Sequence, residues 1–572
     1  MEEMKLYQLW CENATEDIDL VNELESIKGN EDAITDRFYR DLEFGTGGLR
    51  GVIGAGTYRL NIYTIRRATQ GLADYVNGAF ENGAVAIAYD SRIKSDVFAK
   101  EAARVLAANG IKVYIYPELM PTPMLSFAVR ELKCQAGIVV TASHNPAKYN
   151  GYKVYGDDGC QITLDVANTV IEKINDVAMF GGAKIISWEE GIESDMIHLI
   201  EWDVFDKYIE KVSQQGVHTE LVASSGLKVV YTPLNGTGNK PVRAILKKIG
   251  VEEVVVVPEQ ENPDGNFPTC PYPNPEIEEA LQVGLKLCQT EKPDLLLATD
   301  PDADRVGIAV PDHDGNYVLF TGNEVGGMLL EYICEERTKN GTMPKNPVAV
   351  KTIVTTDITK AICEKYGVEL REVLTGFKFI GEQIGFLEDK GEENRYVFGF
   401  EESYGYLAGT YVRDKDAVVA SMLICEMAAF YRTKGISLLD AREAMYKKYG
   451  NYVHTLKSFT CEGAEGMERM QEIMSDLREN PPAAIGGFKV LKVADYIKSV
   501  ETVLETGATT EITLPKSDVL TFTLENNFTV VIRPSGTEPK IKSYYTTIAP
   551  VREDAVKYEQ AISADFKKIL GF

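Results

Sequence analysis

An α/β fold of several domains is predicted, with mixed, mostly parallel sheets in three related blocks and a smaller α+β domain at the C-terminal end. Three observations predict it. One β-α-β-α-β rhythm recurs three times along the chain. Its strands are short and apolar throughout, as in sheets covered on both faces. After about residue 450 the pattern changes to shorter strand-like pieces around a polar helical stretch.

The first block runs strand 85–90 (VAIAYD), helix 94–109, strand 112–116, helix 123–133 and strand 136–143 (AGIVVTAS). The second runs strand 227–233, helix 239–249, strand 251–257, helix 276–289 and strand 294–300 (DLLLATD). The third opens with strand 348–356, helix 357–366 and strand 368–373, and ends with YVFGFEES at 396–403. Helix 464–479 and strands 487–493, 519–524, 528–533 and 540–547 form the tail. The corresponding domains are 1–207, 208–318, 319–450 and 451–572, in keeping with the roughly 100–200 residues a domain usually takes. Functional loops of such sheets lie beyond the carboxyl ends of the strands. The chemically richest motif of each block does follow its last strand: TASHNP, TDPDADR and GFEESYG.

Composition narrows the function. With 44% hydrophobic and 26% charged residues the chain can fill several cores. No stretch reaches the ~18 apolar residues a membrane helix needs; the richest, 417–431, is broken by Glu426. The acidic N-terminus lacks a signal-peptide pattern. Nine cysteines, none in CxxC spacing, argue for a reducing compartment, and the expected location is the cytoplasm. A net charge of −26 disfavours nucleic acid as a partner. It does not disfavour an anionic substrate, because clustered Arg and Lys set the local field whatever the global sum.

The motifs carry the chemistry. In DPDADR (300–305) three aspartates alternate, so at an extended strand end Asp300, Asp302 and Asp304 would share one side. Hard oxygen ligands of this kind suit Mg²⁺. A calcium loop does not fit, since its glycine position holds Arg305 and its twelfth position Pro311. In TASHNPAKYNGYK (141–153), Ser143 follows a buried strand as either a nucleophile or a helix cap. His144 adjoins it, and Lys153 is a proton carrier, a phosphate partner or a solvated lysine. RPSGTEPKIK (533–542) combines guanidinium, hydroxyls and glycine in a loop suited to an anion, without Walker spacing. GFEESYG (399–405) offers acids and a serine to sugar hydroxyls, TGFKFIG (375–381) places Lys378 in a glycine-flanked loop, and Arg413 and Lys415 follow. EFGTGGLRG (43–51) flanks Arg50 with glycines, as an anion contact or a plain turn.

Together and in this order, FGTGGLRG, TASHNP, DPDADR, TGFK, GFEES and RPSGTEPK resemble the α-D-phosphohexomutase superfamily, in the phosphoglucomutase branch that also holds phosphopentomutases and sugar-bisphosphate synthases. The resemblance implies four domains around a central cleft. It implies that Ser143 is a phosphoserine, and that one Mg²⁺ per chain is held by Asp300, Asp302, Asp304 and an oxygen on Ser143. Arg50, Lys153 and Arg305 match residues near the transferring phosphoryl group, and His144 the histidine beside the phosphoserine. Glu401 and Ser403 match the sugar-binding loop, with Lys378 and Arg413 joining the substrate-binding set. Arg533, Ser535, Gly536, Thr537 and Lys542 match the distal phosphate loop.

The function so implied is interconversion of glucose 1-phosphate and glucose 6-phosphate, with glucose 1,6-bisphosphate as intermediate and activator. Lys153 is the first candidate for proton transfer and His144 the second. Where the bacterial phosphomannomutase/phosphoglucomutase enzymes carry a histidine after the loop serine, this chain has Gly405, which favours glucose over mannose. The expected partners are small sugar phosphates, with neither nucleic acid nor membrane, and the expected state is a monomer or weak homodimer. The alternatives are a phosphopentomutase, a glucose-1,6-bisphosphate synthase, a metal-dependent sugar phosphatase and a non-catalytic sugar-phosphate binder.

Overall fold

Short aliphatic and β-branched runs bounded by Asp, Gly and Pro become the strands of the first two blocks, and the helices between them bury their apolar stripes against the sheets. The structure, a computed structural model, describes residues 2–45, 47–461, 466–535 and 540–572. The chain divides into two units, residues 1–322 with 377–437 and residues 323–376 with 438–572.

In the first unit a six-stranded sheet has the order Gly48–Val52, Tyr149–Gly156, Ala136–Val140, Ala84–Tyr89, Lys112–Ile115, Ile197–Leu199. The three strands of the first predicted block run parallel within it. Two strands outside the block rhythm, Gly48–Val52 and Tyr149–Gly156, add on antiparallel, and they carry Arg50 and Lys153. The strand expected over 136–143 stops at Val140, which leaves Ser143 in a turn. Three N-terminal helices, Glu2–Asn13, Ile18–Ser26 and Glu31–Phe38, were not anticipated. They close over Trp10, which is fully buried and meets Phe38, Tyr63 and Phe180 edge-on.

A five-stranded sheet of the same unit has the order Tyr317–Phe320, Val306–Pro311, Leu295–Thr299, Lys228–Thr232, Glu253–Val256. The second block supplies its parallel part. Val306–Pro311 then returns antiparallel to Leu295–Thr299, so DPDADR is the turn of a hairpin rather than an extended strand end. GFEESYG is likewise a hairpin turn, between Tyr396–Glu401 and Gly405–Leu407. Lys378 lies on the helix Phe377–Glu388, not in the expected loop; the break falls two residues before it, at Gly376 with φ +126°. The apolar run at 417–431 is the core helix Ala417–Thr433, capped by Asp416, with Glu426 accepting from the Val217 amide. Among the described residues no helix is long and apolar enough to cross a membrane.

In the second unit Val348–Thr352 pairs in parallel with Glu369–Val373. The tail is an antiparallel sheet in the order Asn451–Thr460, Lys540–Ala549, Thr529–Pro534, Leu520–Leu524, Phe488–Asp495, Val500–Val503, Thr509–Glu511. Helices Gly466–Glu479 and Arg552–Ile569 bury Met470, Met474, Ile562 and Phe566 with it. The long strand Asn451–Thr460 escaped the sequence reading because only Phe459 along it is buried, so hydrophobicity does not mark it.

One residue of this sheet makes stability pH-dependent. His454 Nδ1 lies 3.0 Å from Thr546 Oγ1, and its Nε2 is buried without a hydrogen bond. Burial above all, with Lys351 and Arg552 adding and Asp357 opposing, pushes its pKa down to about 4. An unfolded histidine titrates near ~6.5. Between those values the unfolded chain holds a proton that the folded chain does not, so stability falls as pH falls through this window, by up to about 3 kcal/mol. Denaturation midpoints measured from pH 7 to 4 are expected to flatten in His454→Asn; an unchanged slope assigns the effect elsewhere.

Candidate active site

The hairpin 299–306 brings three carboxylates together because Ala303 adopts φ +48° and the chain turns back on itself. A second loop buttresses the turn. Thr237 donates from its amide and its hydroxyl to the Pro301 carbonyl (2.8 and 2.9 Å), and a Cβ on Gly236 would stand 2.4 Å from Pro301 Cα. One oxygen from each of Asp300, Asp302 and Asp304 lies within 4.8 Å of the others, and all three residues are buried.

Each carboxylate is oriented by a different neighbour. Asp300 Oδ1 accepts from the amides of Asp304 and Arg305 (3.1 and 3.0 Å), and its Oδ2 accepts from Ser143 Oγ at 2.8 Å. Asp302 Oδ2 accepts from Thr122 Oγ1 at 2.8 Å and Lys153 Nζ at 3.1 Å. Asp304 Oδ2 pairs with Lys415 Nζ at 3.0 Å. Asp302 Oδ1 and Asp304 Oδ1 are buried without a hydrogen bond. Two orphaned carboxylate oxygens beside a third carboxylate form a donor set that fits a hard divalent cation such as Mg²⁺. Burial, then the charges of Asp302 and Asp304, push Asp300 well above the usual carboxylate range. For Asp302 burial acts upward too, but Lys153 and the hydrogen bonds it accepts carry it below that range.

Ser143 is the nucleophile candidate, and the structure places it on this cluster. It is buried, with φ +50°, a conformation that costs a non-glycine residue on the order of 1 kcal/mol and concentrates at functional sites. His144 Nδ1 stands 3.2 Å from Ser143 Oγ. Burial, then the charges of Arg305 and Arg50, hold the His144 pKa well below its ordinary value, so the ring is a neutral hydrogen-bonding partner and a weak base. Arg305 pairs with Glu276 at 2.5 Å and forms a bridge to Gly405, while the Val306 amide donates to the Tyr404 carbonyl at 3.1 Å. The turn carrying Glu401 and Ser403 is thereby fastened beside the aspartates. Glu401 is buried, and its charge is felt by both Arg305 and Lys415.

Not every expected residue reaches this centre. Arg413 is fully buried, with its guanidinium on Glu388 (2.7 Å) and on the carbonyls of Thr410 and Val412. These contacts anchor Arg413 within the protein. Lys378 is half-buried, with its pKa lowered by burial. Arg533, Ser535 and Lys542 belong to the second unit, on the hairpin between Thr529–Pro534 and Lys540–Ala549. Arg533 stands opposite Lys542 and donates to Tyr544 Oη at 3.2 Å, and the Ser535 amide donates to the Lys540 carbonyl at 2.7 Å. Gly536 and Thr537 lie outside the described residues.

Sequence reasoning missed Thr122 and Glu276 and left Lys415 as one more charge downstream of the sugar-loop motif. Lys415 fills the space that a side chain at position 405 would need, since a Cβ on Gly405 would meet Lys415 Cδ at 2.1 Å. The available signal was the pairing of that glycine with a lysine in the same block.

Comparison with known proteins places the chain in a family. Residues 41–179, 206–315 and 321–449 match the family described as phosphoglucomutase/phosphomannomutase, through its alpha/beta/alpha domains I, II and III. A phosphoglucomutase of Staphylococcus aureus strain bovine RF122 / ET3-1 is 38% identical over 553 residues, 96% of this chain and 97% of its own. That of strain USA300 is 37% identical over 558 residues, with the same coverage of 96% and 97%. Among solved structures, Paramecium parafusin (phosphoglucomutase) in its open form shares the fold with TM-score 0.70 at 17% identity, over 94% of this chain and 95% of that one. A phosphoglucomutase/phosphomannomutase family protein of Burkholderia thailandensis does so with TM-score 0.65 at 21% identity, over 92% and 96%.

Proposed function

The chain belongs to the phosphoglucomutase/phosphomannomutase family, and from that premise we propose that it interconverts glucose 1-phosphate and glucose 6-phosphate through a phosphoserine at Ser143 and a bound glucose 1,6-bisphosphate. The observation that carries the proposal is Ser143 Oγ, held 2.8 Å from Asp300 in a buried acidic cluster with Lys153 and Arg305 at its rim. Asp300, Asp302, Asp304 and an oxygen on Ser143 would hold Mg²⁺, which when bound supplies positive charge to the transferring phosphoryl oxygens.

The residues divide the rest of the work. The P–O bond to Ser143 Oγ breaks as a new P–O bond forms to the free hydroxyl of the sugar monophosphate. That hydroxyl's proton ends on Ser143 Oγ, the leaving oxygen, and Lys153, 3.1 Å from Asp302, is the carrier that relays it. The bisphosphate then turns over, and its other phosphoryl group returns to Ser143. Arg305 and Arg50 compensate charge on the transferring group. His144 holds Ser143 Oγ in line, and Glu401, Ser403 and Lys378 engage sugar hydroxyls. Arg533, Ser535, Gly536, Thr537 and Lys542 grip the phosphate that is not reacting, so that the intermediate is retained. The register supports this, because Arg533 stands directly opposite Lys542 and two cationic side chains come from neighbouring positions of one hairpin. Nine cysteines without a disulfide support the cytoplasm, and a monomer or weak homodimer is the proposed state.

Parallel assays on glucose 1-phosphate and ribose 1-phosphate, with inorganic phosphate measured alongside, test the reading. Glucose 6-phosphate formation without phosphate release is expected. Faster turnover of the pentose, or stoichiometric phosphate release, overturns it. In the same assays Arg533→Ala is expected to raise KM by roughly 10–100-fold and change kcat less, the scale of one or two charge-assisted hydrogen bonds. An unchanged KM removes the tail from substrate binding.

A further inference from the structure

The serine loop is gripped from beneath by a residue that the chemistry above does not use. Arg92 follows the strand Ala84–Tyr89, and its side chain is completely shielded from solvent. Its guanidinium donates to four main-chain carbonyls of one loop: Ser143, Asn145, and, at 3.0 Å each, Pro146 and Tyr149. Asp90 lies 3.4 Å from its Nε, and the Phe267 ring covers it with the centroid 5.0 Å from Cζ.

Asp90 extends the same grip to the other side of the serine. Its Oδ2 accepts from Thr141 Oγ1 at 2.6 Å, and Thr141 Oγ1 accepts from the Ser143 amide at 2.8 Å. Its Oδ1 accepts from the Arg92 amide at 2.9 Å and from Ser95 Oγ at 2.7 Å. Both main-chain polar groups of Ser143 therefore lead to the pair Asp90–Arg92, the amide through Thr141 and the carbonyl directly.

We propose that Arg92 is a positioning residue for phosphoryl transfer: by binding the carbonyls of Ser143, Asn145, Pro146 and Tyr149 it holds Ser143 in its left-handed conformation, with Oγ on the aspartate cluster. The inference rests on Ser143 as the phosphoryl carrier. The reason is conformational. At φ +50° Ser143 is strained, and a strained residue persists only where its surroundings over-determine it. Released, the backbone relaxes to negative φ and carries Oγ away from Asp300. A misplacement of about 1 Å at a reacting atom costs roughly 10²-fold in rate.

The residue type fits the task. A planar guanidinium carries four N–H donors on its two terminal nitrogens in a fixed fork, one for each of the four carbonyls, whereas a lysine is a point charge with three. A chain segment of the second predicted block closes the site from outside. A Cβ on Gly265 would stand 2.5 Å from the Ile93 amide nitrogen, and Phe267 itself sits at φ +47° to cover Arg92.

The test compares full-length wild type with Arg92→Lys and Arg92→Ala, and with Phe267→Leu as a milder variant should either fail to fold. Two quantities are read. One is the rate at which Ser143 gains a phosphoryl group from glucose 1,6-bisphosphate, followed by intact mass. The other is the split between kcat and KM on whichever sugar 1-phosphate the wild type turns over. Melting and the phosphorylated fraction normalise both to folded, loaded enzyme. A loss of roughly 10²-fold in kcat and in the phosphorylation rate is expected for the Arg92 variants, with KM within a few fold of wild type. Free guanidinium ion is expected to restore part of the rate in Arg92→Ala, and Phe267→Leu to show a smaller loss of the same kind. Wild-type kcat per loaded site in Arg92→Lys overturns the proposal. So does a rise in KM alone, or a loss fully accounted for by unfolded protein. A wild type idle on glucose 1-phosphate but active on ribose 1-phosphate overturns the substrate and leaves the Arg92 comparison intact. A wild type whose mass never shifts at Ser143 overturns the phosphoserine reading itself.

Discussion

Ser143→Ala is expected to carry no phosphoryl group and to lose at least roughly four orders of magnitude in turnover, as enzymes do when the covalent nucleophile is removed. The substitution deletes one hydroxyl from a buried site. It breaks the 2.8 Å hydrogen bond to Asp300 and the 3.2 Å contact with His144, and leaves the backbone contacts of residue 143 in place. Folding is therefore expected to survive, and the loss to be one of chemistry. Intact mass after incubation with glucose 1,6-bisphosphate should show the ~80 Da increment of phosphorylation in wild type and none in the variant. A Ser143→Ala protein with appreciable mutase activity would falsify the covalent scheme and move the phosphoryl carrier to another group.

Asp302→Asn carries the second large effect, and it separates metal binding from stability. The site packs three carboxylates out of solvent, and protein cations meet part of their charge: Lys153 at Asp302, Lys415 at Asp304, and Arg305, which Asp304 shares with Glu276. Asparagine keeps the shape and can still accept from Thr122, while one negative charge leaves the cluster. Without added metal the variant is expected to melt below wild type, because Asp302 is the carboxylate whose charge Lys153 and its hydrogen bonds favour, and its loss leaves the Lys153 ammonium without that partner. With saturating Mg²⁺ the gap widens. Wild type gains on the order of 3 kcal/mol at a hundredfold excess over Kd, and the variant gains little. Turnover should fall by at least roughly 10², in line with the loss of one charged contact to a transition state. Equal Mg²⁺-induced shifts in the two proteins would take Asp302 out of the metal site.

The two experiments also mark how far local pattern reaches. The alternation of short apolar strands with helices placed the core of the first two blocks within a few residues, because a strand covered on both faces must be apolar along its length. The same rule misses Asn451–Thr460, which shows only Phe459 to the core, and the strands Gly48–Val52 and Tyr149–Gly156, whose glycines and polar residues read as loop. The motif turns were legible as turns of chemistry but not of shape. Asp300, Asp302 and Asp304 converge through the left-handed Ala303 and the support of Gly236 and Thr237, not through strand alternation. The burial of Arg413 against Glu388 was likewise invisible in the chain.

By itself the sequence determined the chemical inventory and its order: a serine after a buried strand, three aspartates before an arginine, a glycine-flanked acidic loop and a basic distal hairpin. These are properties of contiguous residues, and short stretches of chain carry them whole. Tertiary structure alone decided which groups meet. Lys153 on Asp302, Lys415 on Asp304, Thr122 beneath the same cluster, and Arg92 under the serine loop all join residues far apart in the chain. Nothing local in either partner's neighbourhood specifies such a contact, because side-chain pairing across a core is fixed by how the sheets and turns pack, and only the folded chain supplies that geometry.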